Sequence, residues 1–250
     1  MLKTATELIV ESWKLYAKNW RKFLPYLIML FLPTLILSAL GAISLYLSVY
    51  LPSSSLTSNV VILVVFAASL VLTIWVSIAL ARTMFDCLLA RPTEWKETFF
   101  ASSDLIWPVI YTSFLVTLIV LGGTLLLIIP GIIFAVWYSF TFYTVIFENI
   151  KGLNALSASK SMVAGRWLPV AWRLLITALV FGFLNYALSF VFAYLIRLAP
   201  APVFIQSAAA SALASLAGAI TTPLSIGAIL ILYQSLKQNP VIQQTPSSSM

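Results

Sequence analysis

The chain has 250 residues, of which 62% are hydrophobic and 8% charged, and its mean hydropathy is +1.05. Soluble domains carry about 25% charged residues, so a water-soluble fold is excluded: it would leave too much apolar surface in water. The net charge of +7 then reads as loop charge facing anionic headgroups, and nucleic acid is not an expected partner.

The chain has one cysteine, Cys87, and no histidine. Histidine is the commonest general base and metal ligand. A lone cysteine cannot form an internal disulfide, and Cys87 falls in a segment expected on the reducing side of a membrane, so it reads as a packing residue. No catalytic residue, cofactor or metal site is expected.

Residues 4–22 read as an amphipathic helix. Ile9, Trp13, Tyr16, Trp20 and Leu24 recur at helical spacing, with Glu7, Glu11, Lys14, Lys18 and Arg21 opposite. Thr4-x-x-Glu7 fits a capping box, and acidic residues precede basic ones, as the helix dipole favours. Such a helix is expected to lie in the headgroup plane, aromatic face inward, as a topogenic anchor or as a partner-binding element. An apolar run of about 28 residues follows, too long for the core of a cleaved signal peptide.

A bilayer core about 30 Å thick takes about 20 residues of apolar helix. The sequence supplies six such stretches: Phe23–Tyr50, Val60–Ala81, Leu105–Ile128, Gly131–Phe147, Val170–Ile196 and Gln206–Ser235. Leu51-Pro52-Ser53-Ser54-Ser55 and Ala199-Pro200-Ala201-Pro202 mark breaks, and Pro130-Gly131 separates the third and fourth spans. The segment 105–147 could be a re-entrant element, but a true hairpin is expected. The fold is therefore all-α, a polytopic helical bundle of one domain, 1–236, with a disordered tail, 237–250.

With six spans, thirteen of the fourteen Lys and Arg residues fall on one side, and only Arg197 falls on the other. The positive-inside rule makes that side cytosolic. All seven acidic residues share it. Both termini are expected in the cytosol, and the outer connections are too short to dock a large partner.

Within the spans, Pro33 and Thr221-Thr222-Pro223 with Gly227 suggest kinks. Span six repeats small residues every four: Ser207, Ser211, Ser215 and Ala219, and also Ala210, Ala214, Gly218 and Thr222. That pattern suits close packing in the bundle or a homo-oligomer. Trp137 and Tyr138 of the aromatic fourth span are expected near mid-membrane, packed against neighbours or lining a cavity. Asn185 is the most polar deep position and is expected to make an interhelical hydrogen bond. No Asp, Glu, Lys or Arg lies at mid-span, which argues against a proton-coupled transporter.

Among the connections, Trp95, Phe99 and Phe100 suggest a further interfacial helix. Residues 154–167 read as a helix docked through Ala158, Ser161 and Gly165, with Trp167 and Trp172 at the interface. A short repeat recurs in each third: Trp20 with Pro25, Trp107 with Pro108, and Trp167 with Pro169. Three helical hairpins would follow.

The stretch Ile129–Phe140 (IPGIIFAVWYSF), Phe147-Glu148, Gly152–Leu156 (GLNAL) and Ser161-x-x-x-Gly165-Arg166-Trp167, together with Glu11-Ser12-Trp13-Lys14 and Lys18-Asn19-Trp20, resembles the glycerophosphoryl diester phosphodiesterase membrane domain family. It is also similar to YciC-type integral membrane proteins. The resemblance implies a helical membrane domain, usually without assigned activity. The phosphodiesterase of fused members needs histidines and an acidic metal cluster, so that activity is not carried over. The motif positions are Pro130, Gly131, Glu148, Ser161, Gly165, Arg166 and Trp167, and a Glu148–Arg166 ion pair is expected to pin the hairpin to the docked helix.

The expected function is a non-catalytic scaffold or auxiliary factor in envelope or lipid homeostasis, in the cytoplasmic membrane of a prokaryote. The alternative is a transporter or channel for lipids or small hydrophobic molecules, with Trp137, Tyr138 and Asn185 lining its cavity. An intramembrane enzyme ranks third. Expected partners are membrane lipids, a cytosolic or membrane protein, and a second copy through span six.

Overall fold

The computed structural model describes residues 2–50, 55–198, 200 and 202–240. The described residues form helices without strands: α1 (Ala5–Tyr50), α2 (Ser55–Leu88), α3 (Trp95–Phe100), α4 (Ile106–Leu126), α5 (Ile128–Trp137), α6 (Thr141–Glu148), α7 (Gly152–Val163), α8 (Trp167–Arg197) and α9 (Val203–Gln238). Six helical stretches are long and apolar enough to cross a membrane, and the chain is an all-α bundle. The expected breaks at 51–54 and at Ala199 and Ala201 lie outside the described residues. So does most of the expected tail, 241–250, whereas Lys237 and Gln238 are helical.

Three sequential hairpins organise the bundle. α1 packs on α2, α4 on α5, and α8 on α9. α9 is the central helix and touches α1, α2, α7 and α8. Pro108 and Pro169 fall in the first turns of α4 and α8, where a missing N–H costs nothing. Pro25 instead lies well inside α1.

The expected interfacial helix and the first span join in α1 as two helices across a kink. Only Asn19 departs from helical dihedrals, at φ −119° and ψ 16°. Its side-chain amide donates to the Leu15 carbonyl at 3.1 Å, a local bond that competes with the helix ladder. The capping box forms as read. The Thr4 N–H donates to the Glu7 carboxylate at 2.7 Å, and the Glu7 N–H donates to the Thr4 hydroxyl at 3.3 Å.

The face of α1 that meets the bundle differs from the aromatic one. Leu8, Ser12, Leu15 and Phe23 are buried, while Trp13 and Trp20 stay 55% and 49% exposed. The reason is closeness of approach. Ser12 donates to the Leu224 carbonyl of α9 at 2.5 Å, and a Cβ on Gly227 would lie 2.9 Å from Ser12 Oγ and 3.1 Å from Met84 Cε of α2. Small residues let three backbones converge where an indole would hold them apart.

α3 forms where a further helix is expected, with Phe99 turned inward and Phe100 left exposed. Phe99 stacks on Trp75 at 4.3 Å, and the Trp75 indole donates to the Phe99 carbonyl at 2.8 Å. The third and fourth spans fold back around Leu127, which is extended at φ −157° and ψ 141°. Pro130 sits in the first turn of α5 rather than at the bend. Gly131 is buried, and its Cβ would lie 2.8 Å from Thr124 Cα. Span four is itself broken: Tyr138 and Phe140 leave helical geometry between α5 and α6. By contrast α9 runs through Pro223, and α1 through Pro33, without interruption.

Packing is uneven along the long helices. The N-terminus of α1, the C-terminus of α9 and the start of α8 meet at one end: the Lys3 N–H donates to Ser235, and Arg173 donates to the Lys3 carbonyl. Buried residues crowd this charged half, including Phe23, Tyr26, Val76, Leu80, Val170, Phe181, Leu224 and Leu232. In 34–44, 60–68, 182–197 and 205–216, the far portions of α1, α2, α8 and α9, no residue is buried.

Candidate functional site

Polar side chains border several cavities, two of which join helices distant in sequence: a latch at the charged end and a cleft between α8 and α9.

The latch is built on Arg166, the residue before α8. Gly165, at φ +79°, makes the turn that puts it there. Its guanidinium donates to the carbonyls of Met162 at 3.0 Å, Leu236 at 3.0 Å and Asn239 at 2.5 Å. The last carbonyls of a helix have no intrahelical partner and carry partial negative charge, so the rigid fork clamps the ends of α7 and α9 together. Burial lowers the pKa of this guanidinium from its ordinary value, but an arginine remains charged.

Glu148 ends α6, and Asn149 follows in the left-handed region at φ 56°. Its carboxylate accepts hydrogen bonds from the Tyr233 hydroxyl and from the Lys237 ammonium, the latter at 3.0 Å. Tyr233 and Lys237 are one turn apart on α9, so one carboxylate meets both. The expected Glu148–Arg166 pair therefore does not form. The guanidinium is taken by three carbonyls, and the carboxylate by α9. Both groups line one groove of about 380 Å³, each tied to the same helix end rather than to the other. Sequence reading missed Tyr233 and Lys237. A lysine in the last turn of a helix was the available signal.

The docking face of α7 also differs. Gly152, Ala155, Leu156, Ser159 and Val163 are buried, while Ser161 is exposed and Gly165 lies past the helix end. Ser159 is the key polar residue of this face: it accepts from the Phe140 N–H at 3.2 Å and donates to the Trp137 carbonyl at 2.7 Å. It thereby serves backbone groups freed at the α5–α6 break. The Trp137 ring lies 4.4 Å from the Lys160 ammonium and lines none of the cavities described here. This is a cation–π contact, in keeping with the packed alternative. Tyr138 does line a small cavity of about 200 Å³ against α4, with Thr112, Ser113, Thr117, Ser139 and Thr141. Trp167 opens α8 and is 38% exposed.

The second place is the face between α8 and α9. Asn185 donates to Thr221 Oγ1 at 3.0 Å, the interhelical bond its position suggested. Around this pair is a cleft of about 420 Å³ lined by Thr177, Phe181, Gly182, Gly218, Thr222, Ser225 and apolar neighbours. No charged side chain lines it. Among the described residues, no group of three or more acidic or cysteine side chains comes together to hold a metal ion.

Comparison with family models, with curated proteins and with solved structures finds no match.

Proposed function

We propose that this chain is a non-catalytic scaffold or auxiliary factor of envelope or lipid homeostasis, seated in a prokaryotic cytoplasmic membrane with both termini in the cytosol. The observation that carries the reading is the concentration of packing, ion pairs and helix-end clamps at the charged end. Thirteen of fourteen basic residues belong to the segments that meet there. A fixed, charged platform suits recognition of a protein partner, whereas the far ends of the helices offer only short connections. The motif likeness to a membrane-domain family is compatible with this role. Affinity purification of the full chain, followed by mass spectrometry, tests it. A stoichiometric cytosolic partner that is lost when Arg166 and Glu148 are replaced supports the platform; recovery of the chain alone counts against it.

A second reading, a carrier of lipids or small hydrophobic molecules, is favoured by the cleft between α8 and α9. Co-purified lipid at defined stoichiometry, without a protein partner, would shift the balance to it.

A further inference from the structure

We propose that the α8–α9 cleft binds one neutral amphiphile, an uncharged lipid bearing ester carbonyls or a hydroxyl, of the diacylglycerol type. The inference goes beyond the scaffold reading and rests on the six helices lying in lipid. The first observation is the lining. Thr177, Asn185, Thr221 and Thr222 set a polar strip in an otherwise apolar cleft of about 420 Å³, a size that suits a small ligand.

The second observation is an orphaned hydroxyl. Thr177 is 4% exposed, and its Oγ1 has no hydrogen-bond partner. Other hydroxyls in the long helices, such as Thr73, Thr117, Thr124 and Thr222, donate to the carbonyl four residues earlier. Thr177 does not, although it has the same option. In hydrocarbon no bulk water answers such a group, so an occupant that brings a hydrogen-bonding atom beside Thr177 is favoured over a purely apolar one.

Charge and depth select the class. With no charged lining residue, a phosphate would be buried without compensation. Along α8, Thr177 and Asn185 lie about 6 Å and about 18 Å beyond Arg173 at 1.5 Å per residue. An uncharged glycerolipid can place its carbonyls or hydroxyl at that depth, whereas a charged headgroup is held at the interface. Leu174, Ala178, Phe181, Ile226 and Ile229 make up the apolar part of the lining, a bed for acyl chains.

The test uses the full chain in nanodiscs with photoactivatable diacylglycerol, and separately with photoactivatable phosphatidylcholine and phosphatidylglycerol. Labelled peptides are mapped by mass spectrometry. The expected result is diacylglycerol label concentrated on 174–185 and 218–229, and reduced about tenfold by Thr177→Val with Asn185→Leu, the loss expected of a hydrogen bond worth about 1.4 kcal/mol. Thr177→Val alone breaks no bond within the protein, so it decides the matter if the double variant misfolds. Either phospholipid probe labelling the cleft as strongly, or label indifferent to both substitutions, overturns the proposal. So does crosslinking between copies through Ala178→Cys in a Cys87→Ser background, which would show a second chain in the cleft. Label on the exposed Phe190 and Tyr194 but not on the cleft sinks the site alone; label nowhere on the chain sinks the membrane reading with it.

Discussion

The charged half and the far half of this bundle are made from the same four long helices, yet they are built differently. In the charged half, Ser12, Gly227 and Met84 bring α1, α9 and α2 into close contact, and Arg166 clamps two helix ends. In the far half, no described side chain of α1, α2, α8 or α9 is buried. α4 and α5 are tightly joined through Gly123 and Gly131. Lipid solvates leucine as well as another helix does, so apolarity alone does not close a membrane bundle. Close contacts and hydrogen bonds between helices do, and among α1, α2 and α9 these lie at the charged end, while the small residues of 205–216 are not buried.

The largest effect that would break this comparison is at a glycine contact. Gly131→Val would drive a side chain into the Thr124 backbone, where a Cβ already lies 2.8 Å from Cα. It should cost about 3 kcal/mol, read as a lowered Tm in detergent. Gly227→Leu should cost about as much by displacing Ser12 from the Leu224 carbonyl. Gly41→Leu is the matched control: nothing lies within 4 Å of its Cβ position, so a change within about 0.5 kcal/mol is expected. Equal losses at Gly227 and Gly41 would abolish the distinction between the halves.

Next is the clamp. Arg166→Lys keeps the charge but cannot span three carbonyls. A loss of about 2 kcal/mol is expected, together with faster amide exchange over the last two turns of α9. Glu148→Gln keeps an acceptor for Tyr233 and removes the ion pair with the half-exposed Lys237. It should cost about 0.5 kcal/mol and become neutral at high salt.

The smallest effect concerns the start of α1. Hydrogen bonds from Thr4 hold the Glu7 carboxyl below its ordinary pKa. A depressed folded pKa gives stability that is complete above the unfolded value and is lost as pH falls through the folded one. Amide exchange at residues 5–8 should rise at acid pH, and Glu7→Gln should remove that dependence.

The number of spans, the hairpin, the capping box and the Asn185 bond were legible because each rests on local pattern: apolar run length, a Thr-x-x-Glu spacing, one amide in a field of leucine. The faces of α1 and α7 were not. Helical periodicity identifies an apolar stripe, but in lipid such a stripe meets acyl chains as readily as protein, so the aromatic stripe of α1 did not reveal which face packs on the bundle. The buried stripe ran instead through Leu8, Ser12 and Leu15. The Glu148–Arg166 pair was inferred from opposite charge, whereas its true partners are set by where α9 ends, a tertiary fact. The break at Tyr138–Phe140 carried no Gly or Pro of its own. It is supported from α7 by Ser159, nineteen residues away from Phe140 in sequence.

The function proposed here depends on which water the charged end meets. Single cysteines at positions 14, 160 and 197, in a Cys87→Ser background, can be labelled in sealed vesicles of known orientation with a membrane-impermeant maleimide. The account predicts that positions 14 and 160 react only from the cytosolic face and position 197 only from the opposite one. Labelling of positions 14 and 160 from opposite faces would contradict it.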